Sequence, residues 1–221
     1  MSQAREARRG HYAGRAKRSQ NDSPEVRLSK TLSYILRHGA AKEGLKMRED
    51  GSVLVSELQK CNNLRGATFE QIKQVVDTND KQRFALFEEK DKQGRLQWFI
   101  RATQGHSIDL EEPRLVLLTA ATMPKEVIHG TTKDKIALIR EKGLSRMQRT
   151  HIHFASGLFG DKGVVSGMRA TSNVFIYIDT AKALQDGIEF YLSDNNVVLS
   201  KGLENSGVIP AKYFEKIVSK D

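Results

Sequence analysis

The sequence predicts an α+β fold in two lobes, and three observations carry that prediction. Between residues 23 and 102, apolar positions recur first at helical spacing and then in two runs of alternation. Beyond Pro124 the texture changes to short β-runs, "HIHFA", "NVFIYID", "IEFYLS" and "NVVLS", separated by Gly, Asn and Asp. No G-x-G-x-x-G and no Walker loop is present, so nothing marks a doubly wound nucleotide-binding sheet.

Taken in order, the 221 residues begin with a basic tail over 1–22. Residues 1–20 set six cations against Glu6 alone, a net +5 of the chain's +9, without one large aliphatic side chain. This tail is expected to be disordered and to add nonspecific attraction to nucleic acid or a nuclear address. The first lobe, 23–112, opens on a helix with Ser23 as N-cap and Pro24 at its first position. Leu28, Leu32, Ile35 and Leu36 share its apolar face, and Gly39 is expected to stop it. "DGSVLVSEL", Asp50–Leu58, reads as a turn, a short strand and a helix start. Thr68 and Gln71 form a capping-box pattern ahead of a face built by Phe69, Ile72, Val75 and Val76. The alternating runs Arg83–Phe87 and Leu96–Ala102 pair as a hairpin around a polar turn with Gly94. Three helices and then a hairpin is the winged-helix order, frequent in modules that bind nucleic acid, although many bind proteins.

Pro113 and Pro124 bracket an expected linker over 113–124, and a second, β-rich lobe spans 125–221. In it "EVIHGTT" reads as a strand entering a loop, and Lys133–Lys142 as a helix halted by Gly143.

Several function classes are disfavoured. No apolar run approaches the ~20 residues of a membrane span, and the N-terminus lacks the apolar core of a signal peptide. The single Cys61 permits no internal disulfide and fits a reducing compartment, nuclear or cytoplasmic. Its ordinary reading is an inert thiol. No metal-ligand pattern surrounds His151 and His153. No serine has a nucleophile-elbow context, and Cys61 has no base nearby in sequence.

The candidate residues are cationic or imidazole groups. Arg37 and His38 suit a helix end, where positive charge complements the macrodipole. They also suit a phosphate, which an arginine fork grips and an imidazole can serve with a proton. Lys81 and Arg83, at i and i+2, would share one face of an entering strand, either as edge charges or as ligand contacts. Arg101 and His106 stand at the other end of the hairpin. Arg169 follows Gly163 and Gly167, residues that let a backbone approach a ligand closely. His129 sits where a strand meets a loop, and His151 and His153 share a strand face. Each has a structural or solvated reading by itself. Their concentration near turns and strand ends favours an anion-binding cleft.

In this order, "LSKTLSYILRHGA", "VVDTNDKQRFAL", "IRATQGHS", "VIHGTT", "RTHIHFA", "GVVSGMR" and "LSDNNVVLSKG" resemble the tRNA 2′-phosphotransferase family, over about residues 26–216. The resemblance implies a winged-helix-like RNA lobe followed by an ADP-ribosyltransferase-like lobe that binds NAD. It implies an enzyme that removes the internal 2′-phosphate left at a tRNA splice junction. The RNA phosphate attacks C1″ of the nicotinamide ribose and nicotinamide leaves; O2″ then attacks phosphorus. The products are 2′-OH RNA and ADP-ribose 1″,2″-cyclic phosphate.

By resemblance, Arg37, His38, Arg83 and Arg169 bind the substrate phosphate and stabilise the second transition state. His129, Gly130, Thr131, His151 and His153 line the NAD site, and Val197 lies where many ADP-ribosyltransferases carry a catalytic glutamate. Lys81, Arg101, Gln104 and His106 fall on the substrate side near the lobe junction. The implied partners are tRNA bearing a 2′-phosphate and NAD as a consumed co-substrate, with no metal and no membrane; a monomer is expected. Asn196 departs from the pattern, since the family often has glycine before that valine. Two alternatives stay open: an ADP-ribosyltransferase that caps phosphorylated nucleic-acid ends, and a non-enzymatic winged-helix nucleic-acid-binding protein.

Overall fold

The computed structural model describes residues 22–111, 113–158 and 167–220. Residues 1–21 of the basic tail, and Gly163, lie outside the described residues. The first helix, α1 (Pro24–Tyr34), begins as its sequence dictates. Ser23 is extended, its Oγ accepts from the Val26 N–H at 3.3 Å, and Pro24 takes the first helical position. The stop differs from expectation. The helix widens into a π-helical turn, Ile35–Gly39, and Ala40 is still right-handed at φ −52°. The left-handed glycine is Gly44, at φ +71°. Gly39 is required for space instead, because a Cβ there would lie 2.8 Å from the Tyr34 ring.

Next come β1 (Val53–Leu54), α2 (Val55–Leu58) and α3 (Phe69–Asp77). The capping box of α3 is complete: the Gln71 N–H donates to Thr68 Oγ1 at 3.2 Å, and the Thr68 N–H to Gln71 Oε1 at 2.9 Å. The hairpin strands β2 (Phe84–Lys90) and β3 (Leu96–Ala102) pair antiparallel, and β1 adds to the far side of β3, giving the order β1-β3-β2. Leu32, Ile35, Leu36, Ile72, Phe84 and Ile100 close the first core beneath this sheet. Burying such side chains stabilises by about 1.5–3 kcal/mol each, an upper bound from transfer data.

Residues 113–124 contain an element that the linker expectation did not include. The strand β4 (Leu115–Leu117) forms the edge of a four-stranded sheet with β9 (Tyr191–Ser193), β10 (Val198–Ser200) and β7 (Ile152–Phe154), in the order β4-β9-β10-β7. Leu118 follows it into the second core, its N–H donating to Phe190 O at 2.8 Å. A three-stranded sheet, order β12-β8-β5, joins β12 (Phe214–Ser219), β8 (Val174–Ile178) and β5 (Ile128–Thr131). Two short strands, β6 (Leu144–Ser145) and β11 (Val208–Ile209), make a third pair. Only α4 (Ile136–Lys142) and α5 (Thr180–Gln185) interrupt the strands as α-helices among the described residues. Ile152, Phe154, Ile176, Phe190, Val198 and Tyr213 fill the second core. All strand pairings among the described residues are antiparallel, and the fold is α+β.

The two larger sheets meet where Ile128 and Ala155 exchange backbone hydrogen bonds at 2.9 Å. His129 and His153 stand one residue and two residues from that junction. No helix among the described residues is long and apolar enough to cross a membrane. Cys61 is buried, and burial and then Glu43 raise its thiol above the usual range, as befits an unreactive thiol.

The β9–β10 turn settles the question that Asn196 raised. Its φ is +58° and its N–H donates to Ser193 O at 2.9 Å, so the position requires a left-handed residue. Asparagine tolerates that region better than other non-glycine residues. Asn196→Gly is expected to change stability by less than ~1 kcal/mol, whereas Asn196→Val should lower it by ~1–2 kcal/mol. Urea unfolding checks this, and equal stability of the valine variant would mean that the turn is not left-handed in solution.

Candidate active site

The π-helical turn presents Arg37 and His38 to the segment that follows β3. The Ser107 N–H donates to Arg37 O at 3.1 Å, and His38 Nδ1 lies 2.8 Å from Ser107 Oγ. Gly105, at φ +87°, lets this segment fold back against the Arg37 side chain. Arg37 Nε and Nη2 are buried and have no hydrogen-bond partner among the described residues. Burial first, and then Arg149 and Arg83, push its guanidinium down to about 10. Both charged neighbours share its sign, so the guanidinium is crowded by like charge among the described residues. His38 is lowered too, by burial, Arg37 and Arg149 in that order.

Lys81 and Arg83 reach the site differently from the expectation. Gln82 is left-handed at φ +44°, and both cations precede β2, so the shared-face argument for a strand does not apply. The Arg83 N–H and Nη1 both donate to Asn79 Oδ1, at 3.2 and 3.3 Å. Burial lowers Arg83, with Asp80 opposing, and Lys81 is lowered by burial and then by Arg83.

The histidines form the other wall. His153 lies in β7 and His151 just before that strand. His129 Nδ1 is 3.0 Å from His153 O; a carbonyl only accepts, so Nδ1 carries the proton and Nε2 is left as a bare acceptor. His151 follows the same logic. Thr150 Oγ1 donates to His106 O at 3.3 Å and so accepts from His151 Nδ1 at 2.9 Å. Nε2 of His106, His151 and His153 is buried without a partner among the described residues. Burial, followed by Arg37, His38 and Arg101, pushes His106 down to about 4. Burial, then Lys201 and Arg146, does the same to His151 against the pull of Asp109. His153 is held well below the ordinary imidazole value by burial, Arg149, His151 and Arg37. His129 is lowered chiefly by burial, with Arg169 and Arg149 adding to it and the bond to His153 opposing. These rings are neutral at pH 7.

The remaining candidates divide. Arg101 is 6% exposed, and its Nη2 donates to the carboxylate of Asp194 from the β9–β10 tip. Together with Gln104, His106, His151, Lys201 and Asp50 it lines a pocket of about 120 Å³ where the two halves meet. Gly130 is packed closely from one side, since a Cβ would fall 2.4 Å from Met168 Cγ. Thr131 is buried and its carbonyl accepts from the Asn173 N–H at 3.0 Å. Val197 is wholly buried and its backbone N–H and C=O are both taken by Ser193, so no polar group of Val197 is free to face a ligand. Arg169 is exposed and couples to His129 and Arg149.

Arg149 is the residue that the sequence reading passed over. It perturbs Arg37, His38, His129 and His153, and is itself lowered by desolvation and then by Arg169, although it is exposed overall. It therefore lies within electrostatic reach of both Arg37 and Arg169. Its spacing of two and four from His151 and His153 was the available signal.

In class, a crowded cationic centre beside neutral histidines suits a phosphate-bearing ligand. Residues 23–202 match the family described as RNA 2'-phosphotransferase, Tpt1 / KptA family, and the chain belongs to that family of enzymes. It is similar to tRNA 2'-phosphotransferase 1 of Danio rerio, at 44% identity over 205 residues, 92% of this chain and 89% of that protein. The tRNA 2'-phosphotransferase of Saccharomyces cerevisiae is 41% identical over 209 residues, 91% of this chain and 86% of that protein. A protein of Schizosaccharomyces pombe is 45% identical over 197 residues, 89% of this chain but only 52% of that protein, so the chain spans about half its length.

Proposed function

We propose that this enzyme removes the splice-junction 2′-phosphate from tRNA and transfers it to NAD, as a monomer resident in the nucleus or cytoplasm. One observation carries the reading: among the described residues, two buried nitrogens of Arg37 have no partner, and its charged neighbours Arg83 and Arg149 share its sign. Such a centre is stabilised by a multiply charged anion, and a 2′-phosphomonoester on RNA supplies one. The names of the relatives point the same way.

The histidine wall fits NAD. Buried nitrogens that can only accept, as on His151, suit the hydroxyl donors of a ribose or the amide of a carboxamide. NAD supplies an electrophilic ribose carbon with nicotinamide as its leaving group, and a hydroxyl beside that carbon. His129, His151 and His153 would hold it, with Gly130 and Thr131 shaping the strand beneath. Arg37, Arg83, Arg149 and Arg169 orient the phosphate and disperse the charge that grows on its oxygens. His38, tied to Ser107, presents its other ring nitrogen for a hydrogen bond or a proton. Lys81, Arg101, Gln104 and His106 support the RNA side at the junction. The order α1-β1-α2-α3-β2-β3, with sheet order β1-β3-β2, supports a winged-helix-like RNA lobe over residues 23–112. The second core, reached through 113–124, supports an ADP-ribosyltransferase-like lobe over 125–221. The basic tail adds affinity for RNA.

The test is to supply RNA carrying an internal 2′-phosphate, with and without NAD, and identify every product. Nicotinamide, 2′-OH RNA and ADP-ribose 1″,2″-cyclic phosphate are expected only with NAD. Accumulation of a stable ADP-ribosylated RNA end would favour the capping reaction, and release without NAD would overturn the reading.

A further inference from the structure

We infer that Asn195 is a positioning residue: from the second half of the chain, it sets the Lys81–Gln82–Arg83 loop that brings Arg83 to the phosphate. The inference rests on the reading of Arg83 as a phosphate-binding group.

Asn195 stands at the tip of the β9–β10 hairpin and is only 1% exposed. Its Nδ2 donates to Lys81 O at 2.9 Å, a contact between positions 114 residues apart. The amide can face only one way. Ser193 Oγ donates to Asn195 Oδ1 at 2.9 Å, and Lys81 O can only accept, so exchanging oxygen and nitrogen would oppose two acceptors. Ser193 is itself fixed, since its Oγ accepts from the Val197 N–H at 3.1 Å. Asn196, left-handed, closes the turn that carries the tip forward.

The receiving loop is strained. Gln82, at φ +44°, occupies a region that non-glycine residues enter at a cost of about 1–2 kcal/mol, and it keeps that shape only where its surroundings over-determine it. Its three carbonyls are all claimed. Thr103 takes two, its Oγ1 donating to Gln82 O at 3.1 Å and its N–H to Arg83 O at 3.0 Å. The third, Lys81 O, is held by Asn195. Thr103 thus anchors the Arg83 end within its own sheet, and Asn195 anchors the entry end from across the junction. Without Asn195, the loop keeps Thr103 and its local bonds to Asn79, from the Gln82 N–H to the carbonyl at 2.7 Å and from the Arg83 N–H to Oδ1 at 3.2 Å, but Lys81 O loses its tie to the second half of the chain. A displacement of about 1 Å at a charge-stabilising group is enough to slow chemistry severely. The neighbouring Arg101–Asp194 pair fixes the same hairpin tip to β3 but touches no part of the loop in the contacts described.

A double-mutant cycle on the full chain, with a 2′-phosphorylated oligonucleotide and NAD, tests the inference. Asn195→Ala is expected to lower kcat by about ten- to a hundredfold, with KM for NAD changed by less than about twofold. Combined with Arg83→Ala, it should add little to the loss caused by Arg83→Ala alone, because both act on one guanidinium. Losses that multiply would mark a merely structural role and overturn the inference, as would wild-type kcat in Asn195→Ala. Ser193→Ala removes the donor to Asn195 Oδ1 and so loosens the amide, and should give the same pattern in milder form; it carries the cycle if Asn195→Ala does not fold. Normal turnover by Arg83→Ala would overturn the reading of Arg83 and this inference with it, whereas multiplied losses overturn this inference alone.

Discussion

Arg37→Ala should lose phosphate removal by roughly a hundredfold or more in kcat, while its melting temperature stays the same or rises. The two halves of that expectation have one cause. Arg37 is desolvated, two of its nitrogens are unpaired among the described residues, and its electrostatic neighbours Arg149 and Arg83 repel it. A buried charge without a counter-charge destabilises the fold, so its removal relieves the structure. The same arrangement is the right one for an anion that arrives with substrate, because the donors are already oriented and dry. Residues that oppose stability yet persist are those that function requires. The ordinary reading of Arg37, a charge on a helix end, predicts the reverse: a stability loss of ~0.3–1 kcal/mol and unchanged turnover. Arg37→Lys keeps the charge but loses the fork, and should fall between the wild type and the alanine variant. Turnover on a 2′-phosphorylated oligonucleotide and a thermal melt, run on the same preparations, separate the two readings.

Much of this was legible in the sequence because local rules agree with the fold there. The Ser23–Pro24 start, the Thr68–Gln71 box and the strand read over 96–102 each formed, although Ile100, Arg101 and Ala102 are buried in succession rather than in alternation. The candidate histidines and Arg37 were visible as residue types crowded at element ends. What was not legible depends on contacts distant in sequence. The π-helical turn at Ile35–Gly39 differs from an ordinary helix end by one residue per turn, and no propensity separates the two. Gln82 is left-handed in a turn closed locally by Asn79 and held from afar by Thr103 and Asn195, and glutamine gives no hint of that conformation. β4 was hidden between two prolines, which mark breaks, although Leu115–Leu117 needed only β9 as a partner to become an edge strand. Arg149 sits in a loop before a short strand, and only its convergence with Arg37, His153 and Arg169 gives it a role.

The neutral histidines lead to the second large effect, a loss of stability in mild acid. His106 and His151 are each pushed from 6.5 down to about 4, and His153 lies well below its ordinary value. In the unfolded chain such groups take up protons as pH falls through about 6.5; in the folded protein they resist until about 4. Between those values the unfolded state binds more protons, so stability is fully present above 6.5 and is lost progressively as pH falls towards 4. A depression of that size is worth ~3 kcal/mol for one buried histidine, and two of them approach the whole stability of an ordinary domain, ~5–15 kcal/mol. Asp50 is also depressed, but a carboxylate of that kind loses its contribution only below about 3.8, beneath the window. Urea unfolding at pH 7.0, 6.0 and 5.0 should therefore show a steep fall in stability, and His106→Gln and His151→Gln should each flatten it by up to ~1.4 kcal/mol per pH unit. A flat profile across that range would mean that these imidazoles protonate freely in the folded protein. Their Nε2 atoms would then be donors, and the acceptor wall proposed for the ribose hydroxyls of NAD would not exist.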